Sequence, residues 1–164
     1  MTEPLAFLAI ARTALVIIVA LVLQVAVVSH LRIFDASPDL MVLVAAAAGL
    51  AGGSERGPVV GFFSGLALDV MLTTPFGLAA MAYLLVGYGL GLMHDAMLRA
   101  TWPIQAGATG VASFAGMLVF VLLGLVFGQT QFVSTQLIAV LVVVPLVNAA
   151  LSAPAIRIMR WTLG

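Results

Sequence analysis

Gly57-Pro-Val-Val-Gly61-Phe-Phe-Ser-Gly65-Leu-Ala-Leu-Asp69-Val-Met-Leu-Thr-Thr-Pro-Phe-Gly77 is the stretch whose reading decides the fold. It places one carboxylate, Asp69, inside an otherwise apolar run. Gly61, Gly65 and Asp69 recur every four residues, so at about 100° per residue they share one narrow helix face. That face carries two notches and an acid, which is a surface for another helix to pack on.

The composition around it defines the class. Hydrophobic residues are 64% of the 164-residue chain and charged residues 7%, against roughly 45–50% and roughly 25% in soluble domains. Mean hydropathy is +1.28. This is the profile of an integral membrane protein, and no polar stretch is long enough for a separate soluble domain. Zero net charge argues against a nucleic-acid surface, and the absence of cysteine excludes disulfide and thiol chemistry. The run from Thr13 to Ser29 exceeds a signal-peptide core and lacks a small-x-small cleavage pattern, so it is expected to be a retained first span.

Apolar runs between polar breaks predict six spans, at about 13–31, 40–52, 59–72, 77–93, 103–127 and 132–153. The uncharged interval from Ala100 to Ile156 is too long for one crossing at ~20 residues, and Gly128-Gln129-Thr130-Gln131 breaks it. Spans 2 and 3 fall short of ~20 residues. A re-entrant hairpin would bring Glu55 and Arg56 near mid-membrane at roughly 2.5–3.5 kcal/mol each. Two short crossings sheltered by longer neighbours cost less. Six spans with an inner N-terminus put Arg12, Arg56, Arg99, Arg157 and Arg160 on the cytoplasmic side and only Arg32 outside, the bias expected of membrane proteins. Both termini are then cytoplasmic, with Trp161 an interfacial anchor. The expected fold class is an all-α integral membrane protein, a six-helix transmembrane bundle forming one domain over residues 1–164.

Ser37-Pro38-Asp39 reads as a helix start, with Ser37 as N-cap, Pro38 at the first helical position and Asp39 near the positive helix end. Thr74-Pro75 and Thr101-Trp102-Pro103 repeat that signal. Asp69 is either a structural acid bonded to a neighbouring helix or part of an ion or proton path. Ala80, Tyr83, Gly87, Gly91 and His94 share a face of span 4, where small residues permit close approach. From that face Tyr83 is expected to donate its phenol to Asp69. His94 and Asp95 are too few ligands for a metal, and His30 is expected on the opposite membrane face. Gln24, Asn148 and Ser152 suit interhelical hydrogen bonds. No nucleophile-base pair, phosphate loop or metal cluster is visible, so no enzyme, cofactor or metal is expected.

Pro38-Asp39-Leu40, then Gly61-Phe62-x-x-Gly65-Leu66-x-x-Asp69, then Pro75-Phe76-Gly77-Leu78 leading to Tyr83 and Gly87-Tyr88, resembles the MreD family of rod shape-determining membrane proteins. The resemblance is carried by residues 37–91, while spans 5 and 6 match only in hydrophobicity. It implies a non-enzymatic inner-membrane subunit of the bacterial elongation machinery, paired with MreC to maintain rod shape through lateral peptidoglycan synthesis. Through MreC it implies indirect links to the penicillin-binding transpeptidase, RodA and MreB, with membrane lipids as surroundings. It also implies a fold similar to the substrate-binding subunits of energy-coupling-factor transporters. A vitamin-binding transporter subunit is the rival function, but span 1 has no alanines four apart for the docking motif that group often shows. A proton-coupled transporter is a second rival, short of ionisable residues for a relay across spans 3 to 6. On the resemblance, Gly61, Gly65, Asp69, Tyr83, Gly87 and Gly91 are expected to shape a packing or partner-contact surface.

Overall fold

A computed structural model describes residues 3–26, 38–129 and 136–164. Those residues form α1 (Glu3–Ala26), α2 (Leu40–Asp69), α3 (Leu78–Leu92), α4 (His94–Leu98), α5 (Trp102–Val126) and α6 (Gln136–Leu163), with no strand among them. Three stretches, Phe7–Ala26, Trp102–Val126 and Leu137–Leu163, are long and apolar enough to cross a membrane. The apolar α3 is shorter, at 15 residues.

The break in α2 is one residue wide. Gly53 has φ 73° and ψ −169°, a region open essentially to glycine alone. It divides the helix into α2a, residues 40–52, and α2b, residues 54–69. A Cβ built on Gly57 would lie 2.7 Å from the Gly49 Cα, although eight residues of straight helix span ~12 Å. The two halves therefore fold back on each other as a hairpin. Spans 2 and 3 expected a polar connection from 53 to 58, but that segment is helical apart from Gly53, because one left-handed glycine performs the whole reversal.

α3 lies antiparallel to α2b in a register that steps by four on both helices. A Cβ on Gly65 would meet the Ala79 carbonyl carbon at 2.5 Å, one on Gly61 the Tyr83 carbonyl carbon at 2.9 Å, one on Gly87 the Gly57 carbonyl carbon at 2.7 Å, and one on Gly91 the Gly53 carbonyl carbon at 2.7 Å. Real Cβ atoms do not approach backbone so closely, so these helices touch main chain to main chain. α2a is buried from Met41 to Leu50. At ~20 Å for 13 residues it is shorter than a ~30 Å hydrocarbon core, and longer helices shelter it.

α1, α5 and α6 surround this centre. Near the end of α1, Gln24 bonds the main chain of Pro38 and Leu40, while Arg12 near its start lies over Trp161 of α6. Gln105 near the start of α5 donates to Met97 O of α4 at 2.8 Å. Arg56, just past the α2 turn, donates to Leu163 O at the end of α6. Consecutive segments thus alternate in direction. The start of α1, the Gly53 turn, α4, the start of α5 and the end of α6 share one end of the bundle.

Two boundaries differ from expectation by about ten residues. α1 begins at Glu3 rather than Thr13, and α6 runs to Leu163 rather than Ala153. A charge need not stop a helix: the Arg12 guanidinium stacks on the Trp161 ring of α6 and keeps its charge at the periphery, so α1 runs through Arg12. Residues 27–31 of span 1 and 132–135 of span 6 lie outside the described residues. The short α4 was not anticipated.

Gly65→Ala should destabilise the chain by about 1–3 kcal/mol, the range for overpacking, and Gly53→Ala by about 1–3 kcal/mol of backbone strain. Gly89→Ala should be neutral, since nothing lies within 4 Å of its would-be Cβ. Thermal unfolding in detergent ranks the three.

Candidate functional site

Three features stand out as candidates: the glycine column, a polar cluster at the end opposite the Gly53 turn, and an open groove between α3 and α5. In the column, a Cβ on Gly49 and a Cβ on Gly57 would each lie 2.5 Å from the same atom, the Gly87 carbonyl oxygen. Main chains of α2a, α2b and α3 converge there. Gly61, Gly65, Gly87 and Gly91 all lie in the α2b–α3 contact. Gly49, Gly53 and Gly57 belong to the column as well, and sequence reasoning missed them as notches. The signal was present: glycines at 49, 53, 57, 61 and 65 and the acid at 69 form one unbroken four-residue series.

Asp69 ends the series and caps α3. Its Oδ1 accepts from Ala79 N at 3.0 Å, and its Oδ2 accepts from Gly77 N at 3.0 Å and Ala80 N at 3.1 Å. Gly77, the N-cap residue by position, has a left-handed backbone and no side chain to offer. A carboxylate from the preceding helix therefore supplies what a local Ser or Asp ordinarily would. Negative charge at the positive end of α3 is also favourable. Asp69 is 2% exposed, so these amides stand in for water.

Asp39 does the same for α2. Its backbone is extended, and its Oδ1 accepts from Met41 N at 2.9 Å and Val42 N at 3.2 Å. The N-cap is therefore Asp39 rather than Ser37, and Pro38 precedes the cap instead of opening the helix. Ser37 lies outside the described residues. Gln24 completes this end, accepting from Leu40 N at 2.8 Å and donating to Pro38 O at 3.0 Å. Tyr83 donates its phenol to Asp39 Oδ2, not to Asp69 as its shared face suggested. Both Asp69 oxygens already accept from amides, whereas the Asp39 Oδ2 accepts from none, and α2a brings it within reach of the ring.

The other polar residues in the helices are bonded mainly within the bundle. Asn148 donates to Ser113 Oγ at 3.1 Å across α5 and α6, Ser152 donates to Ala149 O of its own helix, and His94 Nδ1 lies 2.7 Å from Leu50 O. Among the described residues, no three His, Cys, Asp or Glu side chains converge as a metal site. This chemistry joins helices: both buried carboxylates already accept from helix amides.

The groove is different in kind. Between α3 and α5 lies a cavity of about 400 Å³ lined by Ala82, Val86, Gly89, Gly107, Ala112 and Gly116 among others. Gly89 and Gly107 face open space on either side of it. Nothing inside the molecule requires their small size.

A family model described as rod shape-determining protein MreD matches residues 6–159. No curated protein and no solved structure gives a match.

Among the described residues Tyr83→Phe removes the one donor to Asp39 Oδ2, which should cost about 1–3 kcal/mol. Asp39→Asn should lessen that cost, and a double-mutant cycle by thermal unfolding measures the coupling. Asp69→Asn, which retains one acceptor oxygen, should be milder than Asp69→Leu.

Proposed function

Because the chain belongs to the MreD family of rod shape-determining membrane proteins, we propose that it is a non-enzymatic inner-membrane subunit of the elongation machinery. In this reading it pairs with MreC and so supports lateral peptidoglycan synthesis. The arginine-bearing end faces the cytoplasm, on the side of MreB. The penicillin-binding transpeptidase and RodA are reached through MreC.

The observation that supports this reading best is the α3–α5 groove. Gly and Ala from both helices alternate along it with larger apolar residues such as Leu85, Met93 and Val111, and two of its glycines are unused by the fold. In a bilayer, where tails are as apolar as Leu, helix association depends on close packing, and small residues permit it. A single transmembrane helix such as that of MreC would find there a seat that burial alone does not explain. The rigid glycine column behind α3 holds one wall of that seat in place.

Gly107→Leu is expected to reduce recovery of MreC on co-purification while leaving the unfolding temperature of the chain unchanged, since a Cβ at Gly107 meets nothing. Undiminished recovery would remove MreC from this groove. Depletion of the protein should make rods round up. Unchanged shape with lost vitamin uptake would instead favour a substrate-binding transporter subunit.

A further inference from the structure

A second groove, on the opposite flank, has a charged mouth. It lies between α1 and α2b, has a volume of about 690 Å³, and reaches Leu163 at the end of α6. Its walls are Ile10, Ala14, Ile17, Val59 and Phe63 among others, and its charged lining residues are Glu55 and Arg56. Along α2b the distance from Arg56 to Phe63 is ~10 Å of helical rise. An apolar trough with charge at one end matches a lipid in outline.

The two charges are placed differently. Arg56 donates one N–H to Leu163 O, which anchors it at the mouth and leaves most of its five donors outward. It sits in the first turn of α2b, where helix electrostatics disfavour a cation, and among the described residues the bond to Leu163 O is its only hydrogen bond. Glu55 is exposed beside it, and among the described residues its side chain has no hydrogen-bond or ion-pair partner. The mouth therefore presents a guanidinium and an unpaired carboxylate next to each other.

We propose that this groove seats a phospholipid whose headgroup carries both a phosphate and a primary ammonium, as in phosphatidylethanolamine. Arg56 takes the phosphate through charge-assisted hydrogen bonds, for which a guanidinium is well shaped. Glu55 accepts from the ammonium. One acyl chain lies along Ala14, Ile17, Val59 and Phe63. Phosphatidylglycerol satisfies Arg56 but offers Glu55 only neutral hydroxyls, with no cation to offset the carboxylate. Phosphatidylcholine has no N–H for Glu55.

The test is native mass spectrometry of the full chain in detergent, titrated with phosphatidylethanolamine, phosphatidylglycerol and phosphatidylcholine of identical acyl chains. Phosphatidylethanolamine should bind tighter than either other lipid by roughly 1.5- to fivefold, the range for exposed ionic contacts. Glu55→Gln should abolish its advantage over phosphatidylglycerol. Arg56→Gln should weaken both, and Arg56→Lys, which restores the charge, should recover part of that loss. Ala14→Phe, which fills the trough, should weaken all three lipids at unchanged helicity. Soluble phosphoethanolamine should not displace bound lipid. Equal affinity for the three lipids, tighter binding of phosphatidylglycerol, a preference untouched by Glu55→Gln and Arg56→Gln, or displacement by phosphoethanolamine would each overturn the proposal.

Discussion

The arrangement depends on one steric fact: the Gly87 carbonyl oxygen occupies the space where side chains at Gly49 and Gly57 would begin. Three main chains meet at that point. A Cβ on either glycine forces the α2 hairpin away from α3, and the displacement propagates along the whole four-residue register. In a bilayer no hydrophobic gain compensates for lost contact, because lipid tails already supply an apolar environment. Backbone proximity is therefore the main source of cohesion at the centre.

Close approach of short helices creates a second requirement, which the polar cluster meets. Helices of 13 to 16 residues bring their ends well inside the bundle, where unbonded amides are expensive. Asp39 turns one oxygen, and Asp69 both, onto the first amides of a helix, and Asp69 does so across a tight connection. Tyr83 then links the α3 register to the start of α2a. A displaced α3 would lose that bond and the Asp69 cap together, so packing and capping enforce the same geometry.

The local parts of this design were legible in the sequence. Four-residue spacing put Gly61, Gly65 and Asp69 on one face, and Gly87 and Gly91 opposite, because helical periodicity is a property of neighbours. The motif order from Pro38 to Tyr88 pointed to the correct family. The partner of Tyr83 was not legible: Asp39 is 44 positions away, and only the hairpin at Gly53 decides which carboxylate the phenol meets. The outer end of α1 was not legible because Arg12 resembles a helix stop until Trp161 of α6 is seen beneath it. Grooves formed by residues from different helices have no linear signature, so Gly89 and Gly107 looked like ordinary small residues.

The Gly53 hairpin also divides the molecule by cohesion. Residues 39–91 are joined through main-chain contacts between segments adjacent in sequence, and they form a natural cooperative unit. α1, α5 and α6 are held by side chains, with single polar ties such as Gln24 and the Asn148–Ser113 pair. Free energies of opening are therefore graded from the centre outward. Hydrogen exchange would register this as slow amides in α2a enclosed by faster ones. The centre of the bundle is thus fixed by residues that no neighbour in the membrane touches, since Met41 to Leu50 are buried within the chain itself.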